Sequence, residues 1–215
     1  MVASRTTVRD HAAMTFGQPT TAIVLAGGAS RRMGADKRIL AIEGSAMLQR
    51  VVEALPDADR ILVVIDPARP LPPDLLLAAP IQLVPDLRTG EGPLAGLEAG
   101  LTAAADDIAL VVPGDMPWLD RAVLRLLVAR LVSGSAADLV CLMHDGRPQP
   151  FPAACRREST LVRVTALLDG GERRLRALLD HQSVEALDES TWRTVDPDGR
   201  SLLDIDTPAD LARAG

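Results

Sequence analysis

Apolar residues along this chain follow two rhythms. Unbroken runs at Ala22–Ala26, Arg60–Ile65 (led by its one arginine), Ile81–Val84 and Ile108–Val112 lack the alternation of a half-exposed strand. They predict buried strands of a parallel sheet. Between the runs, apolar residues return at three- and four-residue intervals: Met47, Leu48, Val51, Val52 and Leu55; then Leu97, Ala99 and Leu101; then Val123, Leu124, Leu127, Val128 and Leu131. This spacing predicts helices, with Ser45 capping the first, Pro93 opening the second and Gly134 ending the third. Ile39–Ile42 with Gly44 reads as a short extended piece and a turn, and Pro67–Pro80 carries a short leucine-rich helix at most.

Past Gly134 the pattern changes. Asp138–Met143 reads as a strand, His144–Arg147 as a turn and Pro150–Cys155 as the returning strand, so an antiparallel pair is expected here. Helices are expected at about 157–168 and 172–180, the second with Leu175, Leu178 and Leu179 inward. Leu202–Asp206 leads to Thr207-Pro208, a cap and first-turn proline for a last helix. Strand–loop–helix alternation of this kind predicts an α/β fold. We expect one doubly wound three-layer domain over residues 21–215, its sheet mostly parallel with an antiparallel strand, and ligands over the carboxyl ends of the strands. Asp66, Asp86 and Asp115 each follow an apolar run and so fall at that edge. A single strand-end aspartate is ordinarily a turn or cap residue; three at one edge point to a site.

Composition narrows the class. The chain has 215 residues, 47% hydrophobic and only 2% aromatic, which suits one core built from Leu, Val, Ile and Ala. A net charge of −6 argues against coating nucleic acid, so an anionic ligand must be held locally, as Arg31, Arg32, Lys37 and Arg38 could do. Cys141 and Cys155 form neither a disulfide framework nor a C-x-x-C metal pair and read as reduced core thiols. No apolar run reaches the length of a membrane span, and residues 1–20 lack the apolar core of a secretory signal. They are expected to form a mobile arm on a cytoplasmic protein that meets neither membrane nor nucleic acid.

The first apolar run breaks into Gly27-Gly28 and then a basic loop with Arg31 and Arg32, closed by Gly34 and Lys37. A buried strand opening into such a loop brings backbone N–H groups up to a phosphate. It is not the dinucleotide fingerprint, since no G-x-G occurs here, nor a Walker loop, since Gly34 is followed by Ala35 rather than Lys. Lys37 is the only lysine against 22 arginines. A compact ammonium on a flexible stem can reach a single phosphate oxygen, which a planar guanidinium does less well.

Leu25-Ala-Gly-Gly-Ala-Ser-Arg-Arg-Met-Gly-Ala-Asp-Lys37 resembles the L-A-G-G-x-S-x-R-M-G-x-D-K signature of the molybdenum cofactor guanylyltransferases, within the nucleotidyltransferases of the sugar-nucleotide pyrophosphorylase type. Gly92-Pro-Leu-Ala-Gly96 is similar to their G-P-L-A-G loop, and Pro113-Gly-Asp-Met-Pro117 to their metal-site motif. Arg147-Pro-Gln-Pro150 and Gly171-Glu-Arg-Arg174 match segments placed near the pterin. Asp204-Ile-Asp-Thr-Pro208 resembles a terminal N-x-N-T-P motif with both asparagines replaced by aspartates, a form that the cytidylyl branch tends to carry. That branch also has L-A-A-G where this chain has Gly27.

The resemblance implies Mg²⁺-dependent transfer of GMP from GTP to the phosphate of molybdopterin, with release of pyrophosphate. It implies catalytic roles for Lys37, Arg31 and Asp115, and a metal held by Asp115 with Asp206 as a second candidate. Leu25, Ala26, Gly27, Gly28, Lys37, Pro93, Leu94, Ala95, Gly96 and Asp115, joined by the strand-end Asp66 and Asp86, would bind the nucleotide. Arg147, Gln149, Arg173 and Asp204 would bind the acceptor, and molybdoenzymes or their chaperones would be partners. The residue types suit this chemistry. A phosphate nucleophile is already an anion at neutral pH, so no base is required, and His11, His144 and His181 read as turn or surface residues. What must be supplied is positioning and positive charge. Two other readings stand beside this one: cytidylyl or other nucleotidyl transfer to molybdopterin or another phosphorylated metabolite, and a non-catalytic nucleotide-binding partner of a molybdoenzyme.

Overall fold

The first apolar run becomes β1 (Thr20–Leu25), the middle of the parallel part of the sheet. The computed structural model describes residues 16–27, 36–55, 57–77, 79–207 and 209–210. A small hairpin, β2 (Ala41–Ile42) and β3 (Ser45–Ala46), precedes α1 (Met47–Glu53), β4 (Arg60–Ile65) and β5 (Gln82–Pro85). Then come α2 (Pro93–Ala103), β6 (Ile108–Pro113), α3 (Arg121–Val132), β7 (Leu139–His144) and β8 (Arg147–Arg156). The chain continues with α4 (Arg157–Asp169), α5 (Arg176–His181), β9 (Val184–Leu187) and α6 (Glu189–Trp192).

Seven strands lie in the order β5-β4-β1-β6-β8-β7-β9. All neighbours pair in parallel except β8, which runs antiparallel to both β6 and β7. Helices cover both faces. Ala22 and Val24 of β1 join Leu48 and Val51 of α1 and Leu124 and Leu127 of α3 in one core, while Ile23 joins Leu94 and Leu97 of α2 and Val164 of α4 in the other. Successive strand residues face opposite layers, so the continuous apolar runs of β1, β4 and β6 were the correct signal for strands buried on both sides. The Ile81–Val84 run, expected to be buried, instead gives the edge strand β5, in which Val84 alone is buried.

Several local expectations are corrected. Ser45 pairs in β3 instead of capping α1, whose cap is Ala46 without a side-chain hydrogen bond. The reason is the turn: Glu43 and Gly44 both take positive φ, as a two-residue hairpin with the twist of its strands requires. Pro67–Pro80, allowed a short helix at most, forms turns and no helix among the described residues. The sequence reading missed β9 and α6, although Trp192 of α6 is fully buried and donates its indole N–H to the Met143 carbonyl (2.9 Å). The expected arm falls mostly outside the described residues; of its described end, Phe16 packs against the core and Thr20 opens β1. The two thiols are buried and unbridged, and burial pushes both Cys141 and Cys155 up to about 12.

The tightest helix–sheet approach is at Gly100 of α2, where a Cβ would stand 2.4 Å from the Ile23 Cγ2 methyl and 3.2 Å from Val64 Cγ2. Gly100→Ala is therefore expected to destabilise the chain by about 1–3 kcal/mol, the cost of overpacking a close-packed core. Urea unfolding of the two proteins measures this. An unchanged midpoint would mean that α2 is free to move off the sheet.

Candidate active site

Backbone pairing continues past the strand ends and gathers the loops there. Ala26 N–H donates to Val64 C=O (2.9 Å), Gly114 N–H to Leu25 C=O (2.9 Å) and Asp86 N–H to Ile65 C=O (2.8 Å). Gly114 is required for this closeness, since a Cβ there would sit 3.1 Å from the Leu25 oxygen and 3.3 Å from Ala26 Cα. Leu25, Ala26, Gly27, Asp66, Asp86 and Asp115 thus lie along one carboxyl edge, as the apolar runs led us to expect.

A second chain segment comes to this edge from the far end of the sequence. The Ile205 N–H donates to the Asp115 carbonyl (3.0 Å), and its side chain is wholly buried with Ile42, Met47 and Trp118. Thr207 and Asp210 then bond reciprocally, the Asp210 carboxylate accepting the Thr207 N–H (2.7 Å) and Thr207 Oγ1 accepting the Asp210 N–H (3.3 Å). That capping box supplies the threonine cap read from the sequence. Asp204 and Asp206 flank the anchored Ile205 and are delivered beside Asp115.

Lys37 begins a single 3-10 turn (Lys37–Ile39), started by Asp36, whose carboxylate accepts the Arg38 N–H (3.0 Å). Its Nζ lies 2.5 Å from Asp115 Oδ2 and 3.1 Å from Asp206 Oδ1, with the side chain only 14% exposed. Burial is the largest single influence and favours the neutral amine, but the combined attraction of Asp115 and Asp206 outweighs it and holds Lys37 above its ordinary value. Asp204 is likewise raised, by partial desolvation and by the charges of Asp115 and Asp206. Two carboxylates thus converge on one ammonium, with Asp204 beside them. Arg38, by contrast, does not serve the site. Its fork closes on Asp36 (2.8 and 2.5 Å) and on the carbonyls of Arg69 (2.9 Å) and Pro70 (3.0 Å), which corrects its expected place among the anion-holding cations. Gly28, Arg31 and Arg32 lie outside the described residues.

The other expected residues are distributed along the edge. Asp66 accepts from the Ala68 N–H (2.9 Å) and Arg69 Nε (3.1 Å), and those two contacts hold its carboxyl below the usual value. Asp86 caps the Arg88 N–H (3.0 Å) and is raised by burial and then by the charges of Asp66, Glu91 and Glu98. A Cβ on Gly96 would lie 4.0 Å from Asp86 Oδ2, which places the first turn of α2 beside that carboxylate. Leu94, Ala95 and Gly96 are buried, which leaves Pro93 as the exposed residue of this turn.

Arg173 bonds the carbonyls of Leu168 and Glu172 (2.8 Å each) and pairs with Glu91 (3.0 Å), bracing the loop before α2. Arg147 and Gln149 begin β8. Because β8 pairs Ala153 with Val111 and runs antiparallel to β6, its start extends past the carboxyl end of β6, toward the edge that carries Asp115.

Some features had no sequence signal. Arg69, which also bonds the Gly27 carbonyl (2.8 Å), is one of 22 arginines with nothing to mark it. His144, Asp145 and Glu189 bring one ligand atom each within 4.8 Å of one another at the end of β7. An open cleft of about 400 Å³ lies behind Pro117–Leu119, but its Arg50 and Arg200 both pair with Glu43 (2.9 and 3.2 Å), and it includes none of the Lys37 cluster.

A doubly wound sheet whose carboxyl edge presents Gly27, one lysine and a row of aspartates defines a nucleotidyltransferase-type α/β protein. Residues 22–186 match the family described as the MobA-like NTP transferase domain, and the chain belongs to that family. It is 37% identical over 193 residues to the "Probable molybdenum cofactor guanylyltransferase" of Chloroflexus aggregans, covering 88% of this chain and 90% of that one. The Deinococcus radiodurans protein of the same name is 35% identical, with 90% and 93% covered. The fold is similar to that of molybdopterin-guanine dinucleotide biosynthesis protein A from Archaeoglobus fulgidus, with a TM-score of 0.75 at 24% identity over 90% of this chain and 96% of that one. No helix among the described residues is long and apolar enough to cross a membrane.

Proposed function

We propose that this chain transfers GMP from GTP to the phosphate of molybdopterin. An acceptor phosphate oxygen bonds to the α-phosphorus, the bond from that phosphorus to the β-phosphate oxygen breaks, and pyrophosphate leaves. One observation carries the reading: the only lysine of the chain stands at the end of the glycine-rich segment and between Asp115 and Asp206, on the ligand edge of the sheet. The names of relatives 35–37% identical over most of the chain support the substrate pair.

Residue roles follow from charge. Lys37 neutralises the triphosphate as charge shifts to the departing pyrophosphate, and Arg31 joins it. Gly27, Gly28 and the Pro93–Gly96 turn let backbone close on the base and ribose, with Leu25 and Ala26 beneath and Asp66 and Asp86 bounding the nucleotide side. Arg147, Gln149, Arg173 and Asp204 face the acceptor. Asp115 and Asp206 offer hard oxygen donors and already share one cation, the Lys37 ammonium, so they fit Mg²⁺. When bound there, the ion supplies Lewis-acid polarisation of phosphate oxygens. The His144 group suits it less, since Glu189 there is already engaged by Arg193 Nε (2.8 Å).

Purified protein with GTP, MgCl₂ and molybdopterin should release pyrophosphate in step with a guanine dinucleotide, and chelation should stop it. Binding of GTP without pyrophosphate release would leave the non-catalytic reading. Turnover with CTP in place of GTP is the second reading, favoured by the two carboxylates of Asp204 and Asp206.

A further inference from the structure

The described backbone enters the glycine-rich segment at Gly27 and leaves it at Asp36, and both ends are fastened to one dipeptide, Arg69-Pro70. At the first end, Arg69 Nη2 donates to the Gly27 carbonyl (2.8 Å) while its Nε holds Asp66 (3.1 Å). At the second end, Arg38 grips Asp36 and donates to the carbonyls of Arg69 (2.9 Å) and Pro70 (3.0 Å). The dipeptide sits in a turn that is itself fixed, by Arg69 N–H to Asp66 C=O (2.8 Å) and Ala68 N–H to Asp66 Oδ1 (2.9 Å).

We propose that Arg69 and Arg38 are positioning residues, through which the Asp66–Pro70 turn sets the separation of Gly27 from Lys37 and so the span of the nucleotide loop. The ligand of that loop rests on the nucleotidyl-transfer reading above; the fastening does not. Arginine suits the task because its planar fork donates in several fixed directions at once, so one side chain joins a carboxylate to one or two carbonyls. Lys37, next in sequence to Arg38, is left to face the carboxylates of Asp115 and Asp206. Holding Gly27 and Lys37 at a set separation before the nucleotide arrives is preorganisation, which lowers the cost of binding. The effect therefore falls on ground-state binding rather than on the chemical step.

The test uses the full chain with Arg69→Gln. Affinity for GTP should fall and KM for GTP should rise by about tenfold, the equivalent of one charge-assisted hydrogen bond, with kcat changed by less than about threefold. Arg69 is 39% exposed, so the nucleotide-free unfolding midpoint should stay near wild type. Arg31 and Arg32 lie inside the segment, and tryptic cleavage after them should quicken in the variant. Arg38→Lys, which keeps the charge and loses the fork, should quicken the same cleavage from the other end. Wild-type affinity together with wild-type cleavage in Arg69→Gln overturns the proposal. So does a joint loss of kcat and KM with a falling midpoint, which would make Arg69 a fold residue only. If wild-type protein binds no GTP, the functional reading fails, and the cleavage rates alone decide the fastening.

Discussion

Lys37→Ala and Asp115→Ala are each expected to lower turnover roughly 100- to 1000-fold, the effect of removing one preorganised charge from a transition state of this kind. The two side chains meet at 2.5 Å with 14% and 23% exposure, so each substitution also strips a partner from the other. Compensation limits the cost to the fold. Without Asp115, Lys37 keeps Asp206 at 3.1 Å; without Lys37, the carboxylates repel but reach water. Nucleotide-free unfolding midpoints within a few degrees of wild type would assign the loss to chemistry, whereas a large drop would assign it to folding. Lys37→Arg should fail nearly as badly, because a planar fork does not replace a point charge seated between two carboxylates. Wild-type turnover in Lys37→Arg would remove the solitary lysine from the argument.

Charge at Lys37 also fixes a pH expectation for its chemistry. Its folded value is held above the ordinary one, so the ammonium stays charged throughout the neutral range and its loss lies on the alkaline side. Titration of the metal-free protein from pH 6 to 9 should therefore show no step from Lys37.

The parts of this molecule that could be read in advance are those where one residue type has one physical use. Continuous apolar runs followed by an aspartate gave β4, β5 and β6 with Asp66, Asp86 and Asp115 at a single edge. In β4 and β6 the run reflects burial on both faces; β5 is an edge strand with Val84 alone buried, so its run marked a strand without marking burial. Where several uses compete, the reading failed. Ser45 is a good cap, yet the positive φ of Glu43 and Gly44 takes it into a hairpin. Arg38 and Lys37 are adjacent cations with opposite fates, decided by Asp36 and by carbonyls far along the chain. Strand β9 runs four residues with only Leu187 buried, too short and too mixed to separate from a loop. Asp206 was legible as a departure from a motif, but its contact with Lys37 depends on Ile205 being anchored in a distant cluster. Pairwise long-range contacts of that kind leave no period in a sequence.

Gly27→Ala is expected to weaken use of GTP by roughly tenfold to 200-fold, the usual worth of a methyl-sized clash of about 1–3 kcal/mol in a tight pocket. The protein itself has room for the methyl. A Cβ on Gly27 would meet the Asp66 backbone nitrogen at 3.4 Å and the Ile65 carbonyl carbon at 3.7 Å, which are ordinary contacts, so folding should be little affected. Any loss then belongs to the ligand side, where a purine brings more of the base against the backbone than a pyrimidine does. Glycine leaves that approach open. The Pro93–Gly96 turn beside Asp86 shares the task, so Gly27→Ala alone should lower GTP use without creating an efficient CTP enzyme. Rates with GTP and CTP at matched Mg²⁺ and molybdopterin, for wild type and variant, measure the ratio. Stabilisation by each nucleotide gives the same comparison without the acceptor, about 2.7 kcal/mol being expected at a hundredfold excess over the dissociation constant. A wild-type preference for CTP would overturn the guanylyl reading and make the Asp204-Ile205-Asp206 segment the better guide to the base. An unchanged GTP/CTP ratio in Gly27→Ala would keep the reaction and move its specificity to the Pro93–Gly96 turn and Asp86.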